Sequence, residues 1–479
     1  MVNKLIILQL IPLAGSLVAF FLPKQQGKPA GILALCVALL QLVFVVAVPA
    51  MAATSQTNLF GLSLVFNNDT LAAITLVVLS AATAIAVLYS LLAPQEQSYR
   101  PSFYGLILLV LAGTTGVALA ANLIQFYIFW EMMLIPAWLL VMNWNEDKEK
   151  VNYISLKFFI LTHIGAVLML ISILWLVSHG GTSDMNALKA FLNTLAPSTV
   201  TLLMILFFMG FIVKLAIFPF HTWLPDAYTS PVMPVTLVLV GLLTNIGIYG
   251  LIRFSGYFGS AFLSPLSTLF MAAGVITIFY GGIMALVEKS IKRILAYSSM
   301  SQMGYILFAA GTLMPMGMAG AEFNLFNQAA TKLALFMAIG LLFAYSRTYD
   351  IDQLGGLAKK FPSLAVVSIA GMFSLVGAPP AMGFWPELFA FGAGFSSGKG
   401  WLTVLALAGS LISVGYGLRL IRYVFFGPEK IFPELPRPYR WTTYVPLFLC
   451  TLIIVLLGVY PGLVFEMIRQ SVNEIGFIW

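Results

Sequence analysis

The chain has 479 residues; 61% are hydrophobic, only 9% are charged, and the net charge is +7. With a mean hydropathy of +0.99, this excludes a soluble globular domain and points to a polytopic membrane protein, because apolar runs of about 20 residues span a bilayer. Cys36 and Cys450 lie in apolar segments without metal-ligand spacing, and there is no Gly-rich phosphate loop, so neither a disulfide framework nor a bound nucleotide or metal is indicated.

Hydropathy predicts fourteen spans. The first three are Leu5–Phe21, Gly31–Ala53 and Leu71–Leu92. Next come Tyr104–Ala120, Leu123–Val141 and Tyr153–Val177, with almost no loop at Ala121 and Asn122. A span broken by prolines covers Thr201–Ala227, followed by Pro234–Arg253, Ser264–Val287, Ile291–Gly311 and Phe323–Tyr345. A second broken span covers Leu364–Phe391, and the last two are Leu402–Phe426 and Tyr444–Phe465. The N-terminal run has a lysine and an apolar stretch like a signal peptide, but no small-residue cleavage site precedes a soluble domain, so it reads as the first span.

The basic residues are unevenly distributed. With the loops taken in alternation, seventeen of the 24 lysines and arginines fall on one side, from Lys24 to Arg440, and five on the other. Two more, Lys214 and Lys332, lie inside spans. The positive-inside rule then places both termini on the outer face and the loops around 146–150 and 350–362 in the cytoplasm. The basic charge is thus a membrane-orientation signal, and no nucleic-acid partner is expected.

The two broken spans read "KLAIFPFHTWLPDA", with Pro219 and Pro225, and "GAPPAMGFWPELFA", with Pro379, Pro380 and Pro386. Proline removes a backbone donor and clashes with the preceding turn, so both helices are expected to be interrupted. Three spans occupy 1–103, and a block of five occupies 104–253. A second block of five occupies 264–426, and the last span and C-terminus occupy 444–479. Each break falls in the fourth span of its block, and an odd number of spans makes the blocks inverted copies. Prolines also kink membrane helices without any function, but matched breaks in inverted halves are the sequence pointer to a transport site near the midplane.

Four charges sit inside apolar stretches: Glu131, Lys214, Lys332 and Glu387. Each costs at least about 2.5–3.5 kcal/mol at the bilayer centre, which marks it as a candidate for an ion pathway. Glu131 and Lys214 are expected to be within ion-pair reach, and Glu387, after the second break, reads as the counterpart of Lys214. His221, at the first break, is a candidate proton carrier or a neutral group satisfying freed carbonyls. His163 is read as a relay or a helix–helix hydrogen-bonding residue, and His179 as a solvated loop residue. Asn245, Gln302 and Gln328 are neutral amides that orient water or bridge helices but do not exchange protons near neutral pH.

These residues lie in motifs that resemble the antiporter-like membrane subunits shared by respiratory complex I, Mrp-type multisubunit antiporters and energy-converting membrane-bound hydrogenases. The segments carrying the resemblance are "FWEMMLIP" (129–136), "FPFHTWLPDAY" (218–228), "GLLTNIGIYGLIRF" (241–254), "IKRILAYSSMSQMGYI" (291–306), "DIDQLGGLAKKFP" (350–362) and "GAPPAMGFWPE" (377–387). The resemblance implies an all-α fold of fourteen core helices with two inverted five-helix repeats. It also implies a proton path from Glu131 and Lys214 through Lys332 to Glu387. Three positions depart from the pattern: Asn245 stands where a lysine is usual, and Gln302 and Gln328 where histidines are common. They are expected to remove titratable groups between Lys214 and Lys332.

Within that family, "KVNYISLKFFILT" and Glu387 look like the subunit-M type of complex I, while "FNQAATK" and "GAPPAMGFW" look more like Mrp and hydrogenase versions. The expected role is an ion-translocating, non-catalytic subunit in the cytoplasmic membrane, in contact with the lipid bilayer. It carries no cofactor of its own and is surrounded by antiporter-like and small membrane subunits and, through the complex, hydrophilic redox subunits. The competing readings are an Mrp-type Na⁺/H⁺ antiporter module without a redox arm, and a structural spacer that moves no ions.

Overall fold

The computed structural model describes residues 2–47, 51–59, 62–93, 99–430 and 441–478. Helices α1 (Val2–Phe21) and α2 (Gly27–Ala47) lead into a hairpin of β1 (Met51–Leu59) and β2 (Leu62–Asn68), paired antiparallel. The second span therefore ends sooner than the expected Gly31–Ala53: its tail is already strand at Met51, where Ala-Thr-Ser-Gln-Thr replaces the apolar run.

Helices α3 (Thr70–Leu92), α4 (Pro101–Leu119), α5 (Leu123–Asn143) and α6 (Val151–Gly180) follow. The short joint between α4 and α5 is real, because the side chain of Asn122 accepts from Gln125 N at 2.7 Å and caps the new helix. The stranded amides of the joint also find partners: Ala121 N donates to Val65 O and Leu123 N to Ser183 O. His179 belongs to the last turn of α6, stacked on Trp175.

After the short α7 (Met185–Leu192), α8 (Pro197–Lys214) and α9 (Trp223–Thr229) flank the first break. Then α10 (Met233–Val238) runs through a π-turn at Leu239–Leu243 into α11 (Thr244–Val287), which is bent at Gly259, φ +73°. Helices α12 (Ile291–Gly311) and α13 (Pro315–Ser346) are followed by α14 (Leu357–Lys360), α15 (Pro362–Leu375) and α16 (Phe384–Ser396). The second break separates α15 from α16. Helix α17 (Gly400–Ile421), ending in a π-turn at Arg422–Phe426, precedes α18 (Val445–Val459) and α19 (Gly462–Glu474). The expected last span, Tyr444–Phe465, is thus two helices parted at Tyr460 and Pro461. Arg437 and Arg440, assigned to the basic side, lie outside the described residues.

Among the described residues, eleven helices are long and apolar enough to cross a membrane. They form one bundle with a continuous buried core. Lipid supplies no hydrophobic drive between helices, so close backbone approach matters. Helices α11 and α12 show it: a Cβ on Gly274 would collide with Gly304 O, and one on Gly304 with Gly274 O.

Ion pairs knit one end of the bundle. Asp226 on α9 takes Lys157 of α6 at 2.8 Å and Arg293 of α12 at 3.4 Å. Lys292, buried at the start of α12, bonds Glu146 at 3.0 Å and the carbonyls of Thr229 and Pro231. Lys292 and Arg293, which the sequence assigns to the basic side, are therefore structural cross-links between the two halves of the chain.

Candidate functional site

Two interruptions of the helix ladder organise the site. At the first, α8 stops at Lys214 and the chain is non-helical until Trp223. The freed groups are re-satisfied by side chains: Trp223 Nε1 donates to Val213 O at 3.0 Å, and Phe218 N donates to Thr277 Oγ1 at 3.1 Å. Lys214 is 3% exposed, and its stem lies against Gly247 of α11. Its Nζ has no hydrogen-bond partner and stands 5.7 Å from the ring centre of Trp130.

The expected direct pair of Glu131 and Lys214 is absent. Glu131 Oε2 instead lies 3.2 Å from His163 Nδ1 on α6. Successive helix residues point about 100° apart. Trp130 therefore faces inward over Lys214, while Glu131 turns toward α6 and the rim of the bundle. Glu131 is 19% and His163 40% exposed, on a face otherwise apolar, with Leu156, Ile160 and Ile164 exposed beside them. His221 is buried in the first break, its ring 4.5 Å from that of Tyr280, and Nδ1 is unpartnered.

Asn245 is fully buried on α11; its Nδ2 donates back to Gly241 O at 2.8 Å and its Oδ1 is free of protein partners. One turn to one side of it, Gly241 meets Leu333 of α13, and half a turn to the other, Gly247 meets Lys214. The stretch of α11 that carries Asn245 thus packs on Leu333 of α13 at Gly241 and on the Lys214 stem at Gly247.

Lys332 is 1% exposed on α13 and donates to Ser298 Oγ at 2.7 Å and Leu295 O at 3.3 Å, both on α12. One turn along α12 from Ser298, Gln302 Nε2 donates to Glu387 Oε1 at 3.3 Å and to Leu375 O at 2.9 Å. Gln328 Nε2 donates to Gln302 Oε1 at 3.4 Å. The two glutamines thus lie between Lys332 and Glu387, not between Lys214 and Lys332 as expected. Packing causes this: Gln302 is on the face of α12 that meets α16 and the end of α15, so its amide reaches the second break.

The second break is polar. Ser374 Oγ donates to Asn327 Oδ1 at 2.8 Å and accepts from Gly383 N at 3.1 Å and Thr331 Oγ1 at 2.9 Å. Glu387 stands in the first turn of α16, 6% exposed. Lys214 precedes its break and Glu387 follows its own, so they occupy opposite limbs. The residue in Glu387's place at the first break is Asp226, which is held by Lys157 and Arg293.

The family model described as NADH:quinone oxidoreductase/Mrp antiporter, TM matches residues 120–413, which include both breaks and all four membrane-embedded charges predicted from the sequence. The chain belongs to this family. It is 32% identical to NADH-quinone oxidoreductase subunit M of Rhodobacter capsulatus, over 75% of this chain and 72% of that one. It is 33% identical to F(420)H(2) dehydrogenase subunit M of Methanosarcina mazei, over 80% and 78%. A chain 4 of NAD(P)H-quinone oxidoreductase from Thermosynechococcus vestitus is 31% identical over 95% and 89%. The fold is shared with a chain of an archaeal membrane-bound sulfane sulfur reductase (TM-score 0.87, 24% identity, 99% of this chain and 97% of that one). It is also shared with a chain of Thermus thermophilus respiratory complex I (0.84, 23%, 98% and 99%) and one of the Mrp complex of Dietzia sp. (0.87, 23%, 99% and 52%).

Sequence reasoning missed several polar residues of this family member. Ser298, Asn327, Thr331 and Ser374 carry no charge and so give no hydropathy alarm, although Asn324, Asn327 and Thr331 recur at helical spacing on α13. Glu322 sits one residue before the span expected to start at Phe323 and reads as a loop residue. The helix starts at Pro315, and Glu322 is wholly buried.

Proposed function

We propose that the chain is an ion-translocating, antiporter-like subunit of a multisubunit, complex-I-like membrane complex, with the proton as its ion. The path comprises Glu131, Lys214, His221, Lys332 and Glu387, with Asn245, Gln302 and Gln328 as polar bridges. The observation that carries this reading is the buried connection at the second break. Lys332 bonds Ser298, and one turn further along α12 Gln302 joins Gln328 to Glu387. Buried charges that stay linked to polar side chains mark pathways in membrane proteins.

Water completes the path between the linked groups. Lys214 Nζ, His221 Nδ1, Asn245 Oδ1 and Gln328 Oε1 are buried without a protein partner. Buried polar atoms are nearly always satisfied, by ordered water where protein does not serve. This supports a hydrated passage from Lys214 past Asn245 to Lys332.

The architecture we propose is fourteen spans, with inverted five-helix repeats at 104–253 and 264–426. The bend at Gly259, the separate α12 and the α15–α16 pair support the three spans beyond the eleven long ones. Both termini face outward in the cytoplasmic membrane, by the positive-inside asymmetry. Glu131 and His163 on an apolar outer face support a protein neighbour there, because an ionisable pair against lipid is costly. That neighbour is another membrane subunit of the complex, and redox chemistry belongs to hydrophilic partners. This chain itself holds no cofactor.

The test uses the intact complex in proteoliposomes, with its co-purifying subunits identified. Lys332→Met and Glu387→Gln are each expected to abolish ion translocation while the complex still assembles. Wild-type translocation in both would leave only the role of a structural spacer. An antiporter set without redox subunits among the co-purifying chains would replace redox drive by Na⁺/H⁺ exchange.

A further inference from the structure

Glu322 is a buried carboxyl that the path above does not use. Its residue is 0% exposed. Oε2 accepts one bond, from Ser471 Oγ at 2.9 Å, and Oε1 has no partner. Ser471 belongs to α19, the helix after the last span. One turn further along α19, Glu474 accepts from Thr70 N and Thr70 Oγ1, both at 2.9 Å. Helix α19 therefore lies across the starts of α3 and α13 and fastens to both.

The residue before Thr70 is Asp69, which caps α3 and grips Arg253 of α11 through both guanidinium nitrogens. Arg253 Nε in turn donates to Tyr249 Oη at 2.9 Å, and Tyr249 donates to Ala118 O at 2.7 Å. On α11, Asn245, Tyr249 and Arg253 are spaced four residues apart, so they form one stripe along a single helix face. The stripe starts at the buried Asn245 amide and ends at the Asp69–Arg253 cluster beside α19. The charged groups that Glu322 feels are Asp69, just before α3, Arg253 from α11 and Glu474 from α19.

We propose that Glu322 is a proton-binding station on an outward branch of the ion path, reached by water along the face of α11 that carries Asn245, Tyr249 and Arg253, and covered by α19. This rests on the ion-path reading above. A proton arriving from the hydrated middle binds Oε1 and converts the carboxylate to the neutral acid. It leaves to water at the outer surface where α19 meets α3, and the carboxylate is restored. Nothing is oxidised or reduced in the step. Ser471 holds Oε2, so the free oxygen is the one presented to the proton. Helix α19 acts as the cover, because its two polar contacts seal the site between α3 and α13.

The experiment measures proton translocation per turnover of the driving reaction, in the intact complex in proteoliposomes. Glu322→Gln keeps the shape and the bond from Ser471 but carries no exchangeable acid, and it is expected to lose translocation. Glu322→Asp is expected to retain part of it. Normal translocation by Glu322→Gln, with loss in Lys332→Met, overturns the branch and leaves the main path standing. Normal translocation by both variants removes the main path as well. Should Glu322→Gln fail to assemble, Ser471→Ala serves, since it leaves the carboxyl in place and deletes its one bond. A shifted pH profile of translocation in Ser471→Ala supports the proposal, and an unchanged profile overturns it.

Discussion

Gln302 Nε2 stands 3.3 Å from Glu387 Oε1, while Gln302 Oε1 takes the amide of Gln328 at 3.4 Å. One neutral side chain therefore bridges the central helix α13 and the acid after the second break. An amide has a donor and an acceptor and serves both neighbours at once. Gln302, one of the three positions that depart from the family pattern, is thus hydrogen-bonded to both neighbours.

Gln302→Leu is expected to leave Glu387 and Gln328 each short of a partner in a buried site, at about 1–3 kcal/mol per lost group. The complex should assemble, with reduced thermal stability and slowed ion translocation. Measurement of both in the same preparation checks it; unaltered translocation would mean that the bridge is only structural.

Gly377 has φ +69°, and a Cβ there would run into the Glu387 carboxylate. An L side chain in that conformation costs roughly 1–2 kcal/mol, and the carboxylate must swing away. Gly377→Ala is expected to impair translocation nearly as much as Glu387→Gln, although it removes no charge. Parallel assays of the two variants test whether the placement of the acid matters as well as its presence.

Glu131 and His163 form a close contact 3.2 Å apart at the rim of the bundle. Glu131→Gln is expected to impair translocation more than assembly. His163→Ala is expected to weaken retention of the subunit proposed to cover this face, because it opens a gap there. Subunit stoichiometry after purification, set beside transport rates, separates the two effects.

Asp69, just before α3, is half-buried; desolvation pushes its carboxyl up, but the Arg253 guanidinium outweighs this and holds it below the ordinary carboxylate value. A depressed value in the folded state stabilises above the unfolded carboxylate range, and that share is lost as pH falls through the folded value. Arg253→Met leaves Asp69 a half-buried charge without its cation and is expected to destabilise by about 1–3 kcal/mol. Melting of the detergent-solubilised protein across acidic pH should show a decline in the wild type that is blunted in Asp69→Asn.

Cysteine labelling tests the orientation. Single cysteines at Asp147 and Lys359 should react only with membrane-permeant reagents in intact cells, and one at Asn473 should react with impermeant ones. Labelling of Asn473 only after permeabilisation would reverse the assignment of the outer face, and with it the direction of the branch through Glu322.

Charge and proline were what the sequence determined by itself. Glu131, Lys214, Lys332 and Glu387 stand out because an ionisable group in an apolar run is expensive in any fold. Pro219 and Pro379 mark the breaks because proline removes a backbone bond wherever it sits. Both are local facts, and both breaks appear where the prolines place them. Partners were decided only by the tertiary structure. Glu131 turned to His163 rather than Lys214, because neighbouring residues of one helix face different directions. Gln302 and Gln328 fell on the Glu387 side of Lys332, because the faces of α12 and α13 that carry them meet at the second break. Glu322 became a core residue only when α19 folded across it, a contact 149 positions apart in the chain. Hydropathy records the cost of burying a residue but not which helix will cover it, since that depends on side-chain shape along several helices at once.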